Sequence, residues 1–98
     1  MRSSSTIVTG NAPRYMSQLC KHFGHRVPTV LDEREGQITF EAGRVHLRAS
    51  PATLMIRVES ADSEGLVHLE GVVASHLKRF AFREPDLAVE WSRAPVEA

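Results

Sequence analysis

Residues 37–59 read Q-I-T-F-E-A-G-R-V-H-L-R-A-S-P-A-T-L-M-I-R-V-E, and their alternation decides the fold. Ile38, Phe40, Val45, Leu47, Leu54, Ile56 and Val58 recur at every second position within three short runs, Gln37–Glu41, Arg44–Ala49 and Thr53–Glu59. A period of two is that of a strand with one covered and one wet face. Ala42-Gly43 and Ser50-Pro51-Ala52 separate the runs, and connections this short join antiparallel neighbours. Upstream, Val27–Arg34 is a similar run with Pro28 near its start, which favours a sheet edge, and Glu35-Gly36 turns it into the next. The reading is a four-stranded meander.

On either side of the meander the period changes. Ala12, Tyr15, Met16, Leu19, Cys20 and Phe23 follow helical spacing, with Asn11 as the expected N-cap, Pro13 in the first turn and Gly24 as the stop. A second helix is expected from Asp62 to about Phe82, buried through Leu66, Leu69, Val73, Leu77 and Phe80, with Pro85 barring continuation. β-branched Ser5–Thr9 predicts a first strand and alternating Leu87–Trp91 a last one. The order β-α-β-β-β-β-α-β gives an α+β fold of two layers, an antiparallel sheet with both helices on one face. Leu31, Leu87, Val89 and Trp91 join the covered side. Thr39, Glu41, Arg44, His46, Arg48, Thr53, Met55, Arg57, Glu59 and Glu90 fall on the open side, with cross-strand ion pairs expected among them. The 98 residues form one domain (1–98), with an ordered core over about 5–91 and tails at 1–4 and 92–98.

Composition narrows the function classes. Twelve Lys and Arg balance twelve Asp and Glu, which argues against a dedicated nucleic-acid binder, whose affinity rests on cationic contacts to phosphate. No apolar run reaches the roughly 20 residues that span a bilayer, and the opening residues lack the apolar core of a signal peptide. One cysteine excludes an internal disulfide and suits a reducing compartment, so a cytoplasmic location is expected. Phosphate-loop, dinucleotide, zinc-protease and nucleophile-elbow motifs are absent and the acids are not paired, so the reading leans away from an enzyme.

Five histidines carry the remaining chemistry. Cys20 and His22 are two apart on a helix and point to nearly opposite sides, so they share no metal. Cys20 borders the apolar stripe and reads as buried and inert. His22 and His25, three apart, face one way if Gly24 leaves the helix intact; otherwise they are solvated imidazoles at a helix C-terminus. His76 lies within the stripe of the second helix, where a ring nitrogen needs a partner such as a backbone carbonyl. His68 faces outward. His46 sits on the open sheet face beside Arg44 and Arg48, a trio suited to a carboxylate or phosphate unless nearby glutamates neutralise it.

Tyr15, the run Leu19-Cys20-Lys21-His22-Phe23, then His76-Leu77-x-Arg79-Phe80-Ala81, Glu84 and Trp91 together resemble a bacterial family filed as domain of unknown function 2218. The resemblance covers nearly the whole chain. It implies a small stand-alone cytoplasmic protein, in a family whose members are often encoded near siderophore or iron-uptake functions. That family has no established activity, so no catalytic residue carries over. The element order also looks like the C-terminal domain of phosphohexomutases, in the TATA-binding-protein-like fold group, but no phosphate loop matches residue by residue.

Three functional readings result. The leading one is a non-catalytic accessory or ligand-binding module linked to iron or siderophore handling. Its ligand site gathers His22, His25 and His76 with Tyr15 and Arg79; the three histidines are the metal candidates, and iron, zinc or haem are the groups they would take. A second is a structural or interaction domain pairing with a partner or a second copy through edge strands Ser5–Thr9 or Val27–Arg34. A third is a phosphate-ligand or enzymatic domain using Arg44, His46, Arg48 and Arg57.

Overall fold

In the computed structural model, which describes residues 1–94, the chain runs β1 (Arg2–Val8), α1 (Ala12–Phe23), β2 (Thr29–Leu31), β3 (Glu35–Phe40), β4 (Gly43–Ala49), β5 (Thr53–Ser60), α2 (Ser63–Phe80) and β6 (Ser92–Ala94). The strands form one antiparallel sheet in the order β2-β3-β4-β5-β1-β6. Its register aligns the apolar positions in rows: Ile38 opposite Val45, Val45 opposite Val58, Leu47 opposite Ile56. These side chains are buried beneath α1 and α2, and the residues between them face away from the helices. A slip of one residue would expose every one of them, so burial itself fixes the register.

Both helices carry an apolar stripe onto that face. Tyr15, Met16, Leu19 and Cys20 of α1 and Leu66, Leu69, Val73 and Leu77 of α2 are buried. Two glycines are required by backbone approach. Gly43, at φ +157°, opens β4 against the Glu59 carbonyl, where any Cβ would collide. Gly36 in β3 lets α1 settle so close that an added Cβ would lie 2.6 Å from Cys20 Sγ. Asp62 caps α2, its carboxylate accepting from the Gly65 N–H at 2.7 Å. Asn11 makes no side-chain capping bond to α1, contrary to expectation, because its side chain is drawn to Glu84 instead.

The margins of the sheet depart from the sequence reading. β1 begins at Arg2, so 2–4 form no tail. They pair with β5, and the chain's amino terminus donates to the Ser60 carbonyl at 2.7 Å. Leu87–Trp91 is not a strand. Its alternation is real, since Leu87, Val89 and Trp91 pack half-buried against the core, but the ladder begins only after Trp91, where β6 pairs with Arg2–Ser4. Residues 92–94 are therefore sheet rather than tail, and 95–98 lie outside the described residues. β1 is thus not a terminal strand: on its β6 side only Ser5–Val8 lack a ladder among the described residues. β2 is the terminal strand: Val30 faces the open side, while Leu31, paired with Gly36, keeps to the helix side as expected but is 37% exposed at the sheet margin. No helix among the described residues is long and apolar enough to cross a membrane.

Candidate functional site

α1 and α2 pack on each other, and the end of α1 meets the last two turns of α2. There His22 and His76 stand with ring centroids 5.0 Å apart, and Phe23 packs on His76 at 4.8 Å and on Phe40 at 5.1 Å. His76 Nδ1 lies 2.7 Å from the Val72 carbonyl oxygen. A carbonyl only accepts, so Nδ1 carries the proton and, in the neutral ring, Nε2 keeps a free lone pair. This is the backbone partner that a histidine in an apolar stripe requires. Burial, together with the positive charges of His76, Arg79, Arg26 and His25, holds the His22 pKa below the ordinary histidine value.

The five residues read as one site do not converge equally. His22, His76 and Arg79 come together, and His25 contributes charge but no ring contact. Tyr15 is committed elsewhere. Among the described residues, no group of three or more His, Cys, Asp and Glu side chains is placed to hold a metal ion. The charged groups acting on His22 are all basic, which suits an anion better than a cation. Cys20 is buried on the other side of α1, its thiol pushed up to about 11 by burial, so it is not a nucleophile at neutral pH. His68 is exposed on α2.

Tyr15 donates its phenol proton to Glu84, which follows α2. Thr9 donates to the same carboxylate at 2.9 and 3.1 Å, and the Asn11 side-chain amide donates at 3.3 Å. Hydrogen bonds from Tyr15 and Thr9 hold the Glu84 carboxyl below the usual carboxylate range. With every group already partnered, this cluster locks the segment beyond α2 onto the β1–α1 junction.

The helix-free face of the sheet is differently built. Its outward side chains form two rows across the strands, Ser4–Arg57–His46–Gln37–Val30 and Thr6–Met55–Arg48–Glu35. Between them runs an open trough of about 460 Å³, within the 300–1,000 Å³ range of small-molecule sites. Arg57 and Arg2 both pair with Glu59, at 3.2 and 3.7 Å. Arg48 has no ion-pair partner within 4.0 Å among the described residues. Burial first, and Arg57 next, keep the pKa of His46 below the ordinary value. At the β2 end Asp32 closes the trough, its carboxylate accepting the Arg34 and Glu35 N–H groups at 2.8 Å each.

Residues 4–92 match the family described as "Uncharacterized protein conserved in bacteria (DUF2218)". The chain belongs to the DUF2218 family. It is also similar to the NMR structure of PA4090 from Pseudomonas aeruginosa, with 37% identity and a TM-score of 0.82 over 97% of this chain and 98% of that one. No curated protein matches it.

Two features of this DUF2218 chain escaped the sequence reading. Glu70 lies on the inner side of α2, only 6% exposed, and is held by Arg93 of β6. Its position one helical turn after Leu66 and three residues before Val73 was the available signal. The Tyr15–Glu84 bond was the other, linking residues 69 positions apart. Both members appear among the residues that carry the family resemblance.

Proposed function

We propose that this DUF2218 protein is a non-catalytic, cytoplasmic ligand-binding module that takes a small anionic ligand on the helix-free face of its sheet. The observation that carries this reading is the trough, an open concavity of drug-like volume into which Arg57, His46 and Arg48 project. An anion bound there would complete hydrogen bonds that guanidinium groups make strongly to carboxylate and phosphate. The scattered carboxylates and the inert thiol supply no nucleophile, so binding rather than turnover is the fitting role. An anionic ferric siderophore falls within the same chemical class, which connects the trough to the iron-handling setting that the family resemblance implies.

Calorimetric titration with phosphate, citrate and glucose 6-phosphate at low salt tests the reading. At least one is expected to bind with Kd below about 1 mM, and Arg57→Gln is expected to weaken it by about tenfold. Arg2 still pairs with Glu59 in that variant, so the fold is preserved. Flat heats with all three would remove the proposal.

A second reading rests on the free Nε2 of His76 beside His22. A two-imidazole site of this kind would bind a transition ion or haem edge. Titration with iron, zinc and haem decides it: binding tighter than micromolar that is lost in His22→Ala supports it, and no such binding eliminates it.

A further inference from the structure

The two ends of the trough carry opposite charge. At the β5–β4 end the trough is lined by Arg57 and His46, and the carboxylate that Arg57 meets, Glu59, lies beyond the lining and is shared with Arg2. At the β2–β3 end Asp32 and Glu35 stand with Arg48, which is opposite Glu35 across the β3–β4 pair without closing an ion pair within 4.0 Å, and Arg34 lines the adjoining cleft with them. Between the ends lies Gln37 of β3, with both donor and acceptor capacity, while the exposed apolar side chains stand at the ends themselves, Met55 on β5 and Val30 on β2. A simple anion would satisfy one end and leave two carboxylates facing its tail.

Resting on the anion-binding reading above, we infer that the ligand class of the trough is a zwitterion of short-peptide size, its carboxylate at the Arg57–His46 end and its ammonium at Asp32 and Glu35. Distance supports the match. Adjacent strands lie about 4.8 Å apart, so two to three strand spacings from β5 towards β2 span about 10–14 Å. An extended tripeptide reaches about 10 Å from amine to carboxylate. Its ends would then adjoin Met55 on β5 and Val30 on β2, and its centre would lie over Gln37. Glycine at both ends and leucine in the middle give the simplest probe of this design.

The experiment compares three forms of one peptide by calorimetry at low salt and pH 7.5: Gly-Leu-Gly, its N-acetyl derivative and its C-terminal amide. The free peptide is expected to bind about tenfold more tightly than either blocked form. In Glu35→Gln that preference over the acetylated form should shrink to within about twofold, while affinity for the acetylated form is unchanged or improved. Arg57→Gln should weaken the free and acetylated peptides alike. Equal binding of free and acetylated peptide, or binding of phosphate without any peptide, overturns the zwitterion inference and leaves the anion-binding reading standing. Absence of binding by peptide, phosphate, citrate and glucose 6-phosphate overturns both.

Discussion

Arg93 of β6 donates two hydrogen bonds to the buried Glu70 carboxylate of α2, at 2.8 and 3.4 Å. Twenty-three residues apart in sequence, the pair fastens the last strand to the helix layer. Burial pushes the Glu70 carboxyl up, but the hydrogen bonds and charge of Arg93 outweigh it and hold the pKa below the usual range. Glu70→Ala removes this anchor. After discounting for the exposure of Arg93, it is expected to cost about 1 kcal/mol. Thermal denaturation should show a midpoint lowered by about 4–8 °C. An unchanged midpoint would mean that β6 docks through its ladder alone.

The same pair shows where sequence reading reaches and where it stops. Alternation over residues 37–59 determined strand number, register and covered face, because each apolar residue reports its own burial. The approach of His22 to His76 was open in the sequence: helical spacing put His22 at the border of its stripe, and only the packing of α1 on α2 brings the two rings together. Helical spacing put Glu70 on the inner side of α2, but its partner lies in a segment with no apolar pattern, and a carboxylate without a visible partner reads as solvated. The start of β1 was missed for a similar reason. Ser3 and Ser5 occupy inward positions, so the strand carries no hydrophobic mark until Ile7. The trough was legible only as a set of outward side chains. Its concavity comes from the twist of the whole sheet, which no local pattern encodes.

Three carboxyls, Asp32, Glu70 and Glu84, have pKa values lowered in the folded chain. A lowered carboxyl binds fewer protons folded than unfolded, so its stabilisation is complete above the unfolded value and is lost as pH falls through the folded one. Stability is therefore expected to decline below about pH 4.5, measured as a falling denaturation midpoint. Tyr15→Phe removes the strongest hydrogen bond to Glu84. It should make the acid limb shallower while lowering the midpoint at neutral pH, and a parallel shift at every pH would show that Glu84 is held by Thr9 and Asn11 instead.

His22 acts in the same sense, but in a higher pH window. Its pKa is lowered, by burial and then by His76 and Arg79, so the unfolded chain takes up a proton at higher pH than the folded one. Stability linked to this group is full above the unfolded value near 6.5 and declines as pH falls below it. An NMR titration of the imidazole resonances should place the His22 midpoint below 6.5. In Arg79→Gln, which removes one of the opposing charges, that midpoint should move up; a midpoint insensitive to Arg79 would mean that desolvation and His76 set it without help.

Packing between α1 and β3 gives a test that is independent of charge. An alanine at position 36 would place its Cβ 2.6 Å from Cys20 Sγ and 3.5 Å from Met16 Cγ. Neither neighbour has room to withdraw, because both are buried to within 1%. Gly36→Ala is therefore expected to destabilise by about 1–3 kcal/mol through overpacking. Cys20→Ala alone removes buried sulfur and should destabilise as well. Combined, the two substitutions trade one volume for the other, so the double variant should be more stable than the sum of its parts predicts, read from urea denaturation of all four proteins. Additive losses would show that α1 is held away from Gly36 by contacts other than Cys20. The same thiol, buried and poorly ionised, should react with Ellman's reagent only after unfolding, and rapid reaction of the native protein would mean that α1 opens from the sheet on the timescale of the assay.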